Sequence, residues 1–158
     1  LKERMSQILK TTNPLYETDF VAWTKQTVQL IRARQFEQVD WENVIEEIES
    51  LGRSDRRELK SRLEVLLQHL LKWQYQSNLR SGSWRNTIDE QRNRITDLLQ
   101  ESPSLKSYPE EVLAECYHRG RKAASNETEL PLDMFPIECP YSITQVLDAE
   151  FLPEVIDS

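Results

Sequence analysis

With only two histidines, His69 and His118, and two cysteines, Cys116 and Cys139, this 158-residue chain has few places for imidazole or thiol chemistry. Its least expected polar residues fall where apolar ones belong. Stepping about 100° per residue from Leu59 through Leu66, Leu70 and Trp73 puts Arg62 and His69 on the same helical stripe. The same exercise sets Gln91 and Arg92 among Trp84, Ile88, Ile95 and Leu99. A guanidinium or imidazole removed from water must find partners or line an opening that water can enter. Glu47 and Glu49, on either side of the apolar stripe Trp41, Val44, Ile45, Ile48 and Leu51, supply the obvious carboxylates. The sequence therefore predicts an inward network of Glu47, Glu49, Arg62, His69, Gln91 and Arg92. Two kinds of work fit it. The network fixes which helices pair and in what register, or it opens onto a pocket where Arg62 and Arg92 hold a small anionic ligand and His69 serves as base.

Other chemistries have less support. Bundles that hold iron or manganese favour a Glu followed three residues later by His on each of two helices, and only Glu115 with His118 makes such a pair. No metal and no cofactor is expected. Cys116 and Cys139 lie far apart without a second pair, so they read as free thiols in a reducing cytoplasm. There is no nucleophile elbow, no phosphate-binding glycine loop and no His-Glu-x-x-His helix. Trp23, Trp41, Trp73 and Trp84 fall on core stripes of four different segments and read as packing residues.

The elements that must position these groups are helical. Three glycines among many Leu, Glu, Arg and Gln favour helix over a sheet with tight turns. Pro14 ends any early helix, and the Thr18-Asp19 pair caps a first helix to about Gln35. Asp40 caps a second, which Gly52 stops; a tight turn or a kink follows, with Ser54 offering a cap for a third that runs to about Gln76 with the broad face of a central helix. Ser83 caps a fourth helix, and Ser107 with Glu110 forms a capping box for a fifth. After Asn126 four prolines punctuate an irregular arm, in which Ser142 and Gln145 form a second capping box.

The expected fold is all-α: an up-and-down antiparallel bundle of about five helices with an irregular, proline-rich C-terminal arm. Residues 1–14 form an extension, in which Leu1–Arg4 read as an appended remnant before a start at Met5; 15–126 form the bundle, and 127–158 the arm with its short helix. Twenty Lys and Arg against 27 Asp and Glu leave a net charge of −7, which disfavours nucleic acid. No stretch approaches the roughly 20 apolar residues that span a bilayer, and no secretory leader is present, so the expected location is the cytoplasm, away from membranes.

Several segments carry a family resemblance. Leu15-Tyr16-Glu17-Thr18-Asp19-Phe20 with Trp23 opens it, and the block Asp40 to Gly52 is its most recognisable part. His69-Leu70-Leu71-Lys72, Ser83-Trp84, Gln91-Arg92 and Ser102-Pro103-Ser104-Leu105 follow in order. In these the chain resembles DUF29, a family common in cyanobacteria, over roughly Leu15 to Tyr117. The resemblance implies an α-helical bundle of unassigned function, with Glu47, Glu49, His69, Trp84 and Arg92 among the matching positions.

An acidic bundle without a catalytic array reads more readily as a binder than as an enzyme, so the leading expectation is a non-enzymatic interaction or regulatory protein that docks on a protein partner or a second copy. The alternative is a small enzyme or anion-binding bundle built on the inward cluster. A third reading, a toxin-antitoxin or defence component acting on RNA, needs a basic stripe at Arg53, Arg56, Arg57 and Lys60. Pairing of those residues with Glu46, Glu49 and Glu64 makes that stripe an ordinary surface instead.

Overall fold

The computed structural model describes residues 13–156, and the remnant and start expected at Leu1–Arg4 and Met5 lie outside them. Among the described residues six α-helices follow one another: α1 (Pro14–Thr18), α2 (Phe20–Arg32), α3 (Trp41–Tyr75), α4 (Gly82–Glu101), α5 (Tyr108–Thr128) and α6 (Ile143–Leu147). Short 3-10 turns join several of them, and no strand occurs among the described residues. The fold is all-α, as the periodicity requires. The chain divides into two compact units between Arg53 and Ser54.

In the N-terminal unit Pro14 opens a helix, and the early helix it was expected to end lies outside the described residues. The proline's missing N–H is harmless at the first helical position, and the Asn13 side chain caps the turn by accepting from the Leu15 amide at 3.0 Å. Asp19 accepts from the Ala22 amide at 2.9 Å and starts α2 where the sequence placed it. Tyr16 and Phe20 pack their rings on buried Trp23 at 4.9 and 5.5 Å. Asp40 accepts from the Asn13 and Asn43 amides, tying the start of α1 to the start of α3.

The expected break at Gly52 is absent: α3 runs unbroken for 35 residues, and Ser54 caps nothing. A mid-helix glycine costs only about 1 kcal/mol relative to alanine, and its neighbours are strong helix formers. Arg53 reaches back to Glu46 at 2.6 Å and Glu49 at 3.7 Å, bracing the turns on either side of the glycine. Because there is no turn, the segment 41–51 does not fold back as a separate helix. Its stripe is consequently not core: Trp41, Ile45, Ile48 and Leu51 are exposed.

The C-terminal unit holds the main core. Along α3, Leu59, Leu63, Leu66, Leu67, Leu70 and Leu71 are fully buried, a face too broad for one neighbour and covered by two. The short connection after Tyr75 makes α4 antiparallel to this half of α3, so that Lys72 meets Trp84 while Arg62 meets Gln91. The ion pairs Lys60–Glu115, Glu64–Arg119 and Lys72–Glu127 climb both helices together, so α5 runs parallel to α3. This is an up-down-up arrangement around Ile88, Ile95, Val112, Cys116, Tyr117 and Ala124. Gly120 sits where α5 touches α3: a Cβ there would meet the Glu64 carbonyl oxygen at 2.9 Å and the Gln68 amide nitrogen at 3.2 Å.

Two caps differ from expectation. Ser81, not Ser83, accepts from the Trp84 amide and starts α4. Ser107 has helical dihedrals and donates to the Glu111 carboxylate instead of accepting from an amide, so α5 lacks a capping box. The Ser142–Gln145 capping box forms and starts α6. Past Glu129 the prolines break regular structure, yet Phe135, Tyr141 and Val146 are buried in the same core as α3, α4 and α5.

Candidate functional site

The predicted polar residues keep their helical phase but go to separate partners. Arg62 donates to Glu58 on its own helix at 2.8 Å and to the Gln91 amide oxygen at 3.3 Å. His69 Nδ1 lies 2.9 Å from the Val65 carbonyl oxygen; an oxygen of that kind only accepts, so Nδ1 carries the proton. Arg92 is buried and its Nε donates to the Val146 carbonyl oxygen at 2.9 Å. Glu47 accepts from the Tyr16 hydroxyl at 2.6 Å, which raises the Tyr16 pKa to about 12, and Glu49 faces Arg53. Of the six residues, only Arg62 and Gln91 meet. For Glu47 and Glu49 the physical reason is Gly52, because the expected network required the segments before and after it to lie side by side and both belong to one helix; His69 and Arg92 are taken up by the carbonyl oxygens of Val65 and Val146.

Two of the four residues of the basic stripe, Arg53 and Lys60, are held in ion pairs. Arg53 pairs with Glu46 and Glu49, Lys60 with Glu115 at 2.6 Å, while Glu64 pairs with Arg119. Arg57 and Arg62 instead line an open groove of about 430 Å³ with Ser54, Glu58, Ser61, Val65 and Gln91. Its floor is the outer face of α3, and Arg62 is already engaged by Glu58. The groove can admit a small polar molecule, and of its two cations Arg62 is paired with Glu58.

One turn beyond Val65 the same face of α3 carries a tighter cluster that sequence reasoning missed. Lys72 is buried, with its ammonium 4.3 Å from the centre of the Trp84 ring and 2.8 Å from the Glu127 carboxylate. Gln68 also donates to Glu127, and these bonds hold that carboxyl below its ordinary range. Burial, with Lys72 nearby, pushes the His69 pKa down, so the imidazole is biased toward its neutral form. The only signal was Lys72 in the motif beside His69; nothing in the spacing names Glu127 from a helix 55 residues away.

Two buried arginines fasten the chain after Glu129 to the bundle. Arg121 donates to the Leu132 and Phe135 carbonyl oxygens at 2.8 to 3.1 Å, and Arg92 holds Val146 in the same way. Tyr117 and Tyr141 add hydroxyl bonds to Pro136 and Gln74 at 2.7 and 2.6 Å. Arg92 Nη1 and Nη2 are buried with no hydrogen-bond partner among the described residues, and desolvation lowers the Arg92 pKa. Carbonyl oxygens at irregular turns are free to accept, so these arginines act as cross-links between bundle and arm.

The N-terminal unit contrasts with this well-covered core. Trp41, Ile45, Ile48 and Leu51 are 44, 55, 62 and 69 % exposed along one side of α3, with Phe36, at 46 %, beside Trp41. Isolated exposed apolar residues are ordinary, whereas a contiguous stripe marks an interaction surface. No group of three or more His, Cys, Asp or Glu side chains suited to a metal ion occurs among the described residues, and none of the described helices is long and apolar enough to cross a membrane.

The family model described as Domain of unknown function DUF29 matches residues 15–152. The match extends past Tyr117 through most of the proline-rich arm, further than the sequence resemblance reached. No curated protein and no solved structure matches the chain.

Proposed function

The chain belongs to the DUF29 family, whose description assigns no activity, and from its own surfaces we propose that it is a non-enzymatic interaction module that docks through the exposed face of α3. The observation that carries this reading is the stripe Trp41, Ile45, Ile48 and Leu51, all large, apolar and exposed on one side of one helix. A helix-in-groove or helix-to-helix contact buries such a stripe through residues three and four apart. The free thiols Cys116 and Cys139 fit a cytoplasmic setting. The polar residues of the C-terminal unit support the reading from the other side, since Arg62, Arg92, Lys72 and Arg121 are engaged with protein groups rather than converging on a shared opening.

A photoreactive amino acid in place of Ile48 tests this in cells. The expected result is a cross-link to another polypeptide chain. A folded protein that gives no adduct, or only an adduct to its own residues 1–12, overturns the docking face.

A further inference from the structure

We infer that the occupant of this face is a second copy of the chain, packed antiparallel about a two-fold axis close to Ile48; the inference rests on the interaction reading above. Trp41, Ile45, Ile48 and Gly52 succeed one another at four, three and four residues, the spacing of a coiled-coil seam. In the C-terminal unit the comparable positions Leu59, Leu63, Leu66 and Leu70 are covered by α4 and α5, whereas among the described residues those of the N-terminal unit are exposed. An isologous contact uses each exposed side chain twice, so a short stripe becomes a seam of double the residues.

Charge decides the direction. Beside the stripe, on the flank away from Tyr16 and Glu47, α3 carries Glu42, Glu46 and Glu49 and then Arg53. In an antiparallel pair each flank meets the same flank of its partner reversed, which sets Arg53 of one copy, paired with Glu46 and Glu49 of its own chain, against the acidic turn at Glu42 of the other. A parallel pair would set the acidic flank against the side that carries Val44 and Leu51, where no cation waits. The two-fold arrangement makes the Arg53 contact twice.

Gly52 is an independent pointer. It lies inside a long helix, where glycine is weaker than alanine, and a Cβ at this position would meet nothing within 4 Å. Packing within one chain therefore gives no reason for it. In the antiparallel pair Gly52 comes opposite the turn at Val44 and Ile45 of the second copy, and the missing Cβ lets large side chains seat against the backbone.

Sedimentation velocity on the full chain, from low to several hundred micromolar, reads the outcome. The expected species is a dimer, twice the 18.7 kDa chain. Ile48→Glu should be monomeric with unchanged helical circular dichroism. Gly52→Ala should raise the dimer Kd by about tenfold or more, the effect of a methyl group forced into a packed seam, although it favours the helix itself. Ile48→Cys should oxidise to a linked dimer and Lys25→Cys should not. A wild-type monomer at every concentration, or a Gly52→Ala dimer as tight as wild type, overturns the inference. If the monomer still cross-links from position 48 to a different protein, the docking face stands and the second copy is wrong; with no cross-link, both fall.

Discussion

Whether a polar side chain on a core face is a site or a fastening depends on what its atoms reach. The phases of Arg62, His69 and Arg92 were legible, because helical periodicity alone turns them inward, but their partners were not. Backbone carbonyls leave no trace in residue spacing, so the bond from Arg92 to Val146, 54 residues away, could not be read. Lys72 was missed for a related reason: a lysine counts as surface until Trp84 covers its ammonium. His69 has a testable consequence. Burial holds its folded pKa below the ordinary 6.5, so the folded state resists a proton that the unfolded chain accepts. Its contribution is neutral above about pH 6.5 and becomes a loss of stability as pH falls below that value. The lowered carboxyls of Glu115 and Glu127 favour folding at neutral pH and lose that effect as pH falls through their folded values, below 4.5, which separates the windows. Urea midpoints near pH 7.5 and 5.5 should therefore draw apart less in His69→Gln than in wild type. Equal pH slopes for the two proteins would remove His69 from the account.

At the scale of elements, local chemistry was the most readable layer. Asp19, Asp40 and the Ser142–Gln145 box start helices because a side chain and an amide two or three residues on settle the matter without distant help. Gly52 was misread because glycine stops a helix only where the chain gains by turning, and here the helix continues through it. The two helical glycines make opposite predictions. Gly120 lies against the α3 backbone, and the carbonyl oxygen 2.9 Å from its missing Cβ cannot swing aside as a side-chain tip does. Gly120→Ala must push α5 from α3 and should lower stability by about 1–3 kcal/mol in denaturant melts. In the monomeric background of Ile48→Glu, Gly52→Ala should instead gain up to about 1 kcal/mol. A Gly120→Ala protein as stable as wild type would mean that the α3–α5 contact is looser than its geometry.

The two units differ in how much they bury for themselves. In the C-terminal unit α3 is held by six fully buried leucines, and the core is continuous through α4, α5 and the arm. In the described part of the N-terminal unit only Trp23, Thr27 and Val39 are buried. The turns from Trp41 to Leu51 propagate from the buried half of α3 but bury little themselves, so the Tyr16–Glu47 bond or an external surface decides how firmly they stay folded. Hydrogen exchange along the one helix α3 separates these supports. Amides from Leu59 to Leu71 should exchange slowly at every protein concentration, since opening them exposes the main core. Amides from Ile45 to Leu51 should exchange faster, and their protection should rise with concentration as the seam is covered by a second copy. In Ile48→Glu that rise should vanish while the protection of Leu59 to Leu71 stays unchanged. Strong, concentration-independent protection at Ile45 to Leu51 would mean that the N-terminal unit sustains this helix alone, leaving the exposed stripe without a role in its folding.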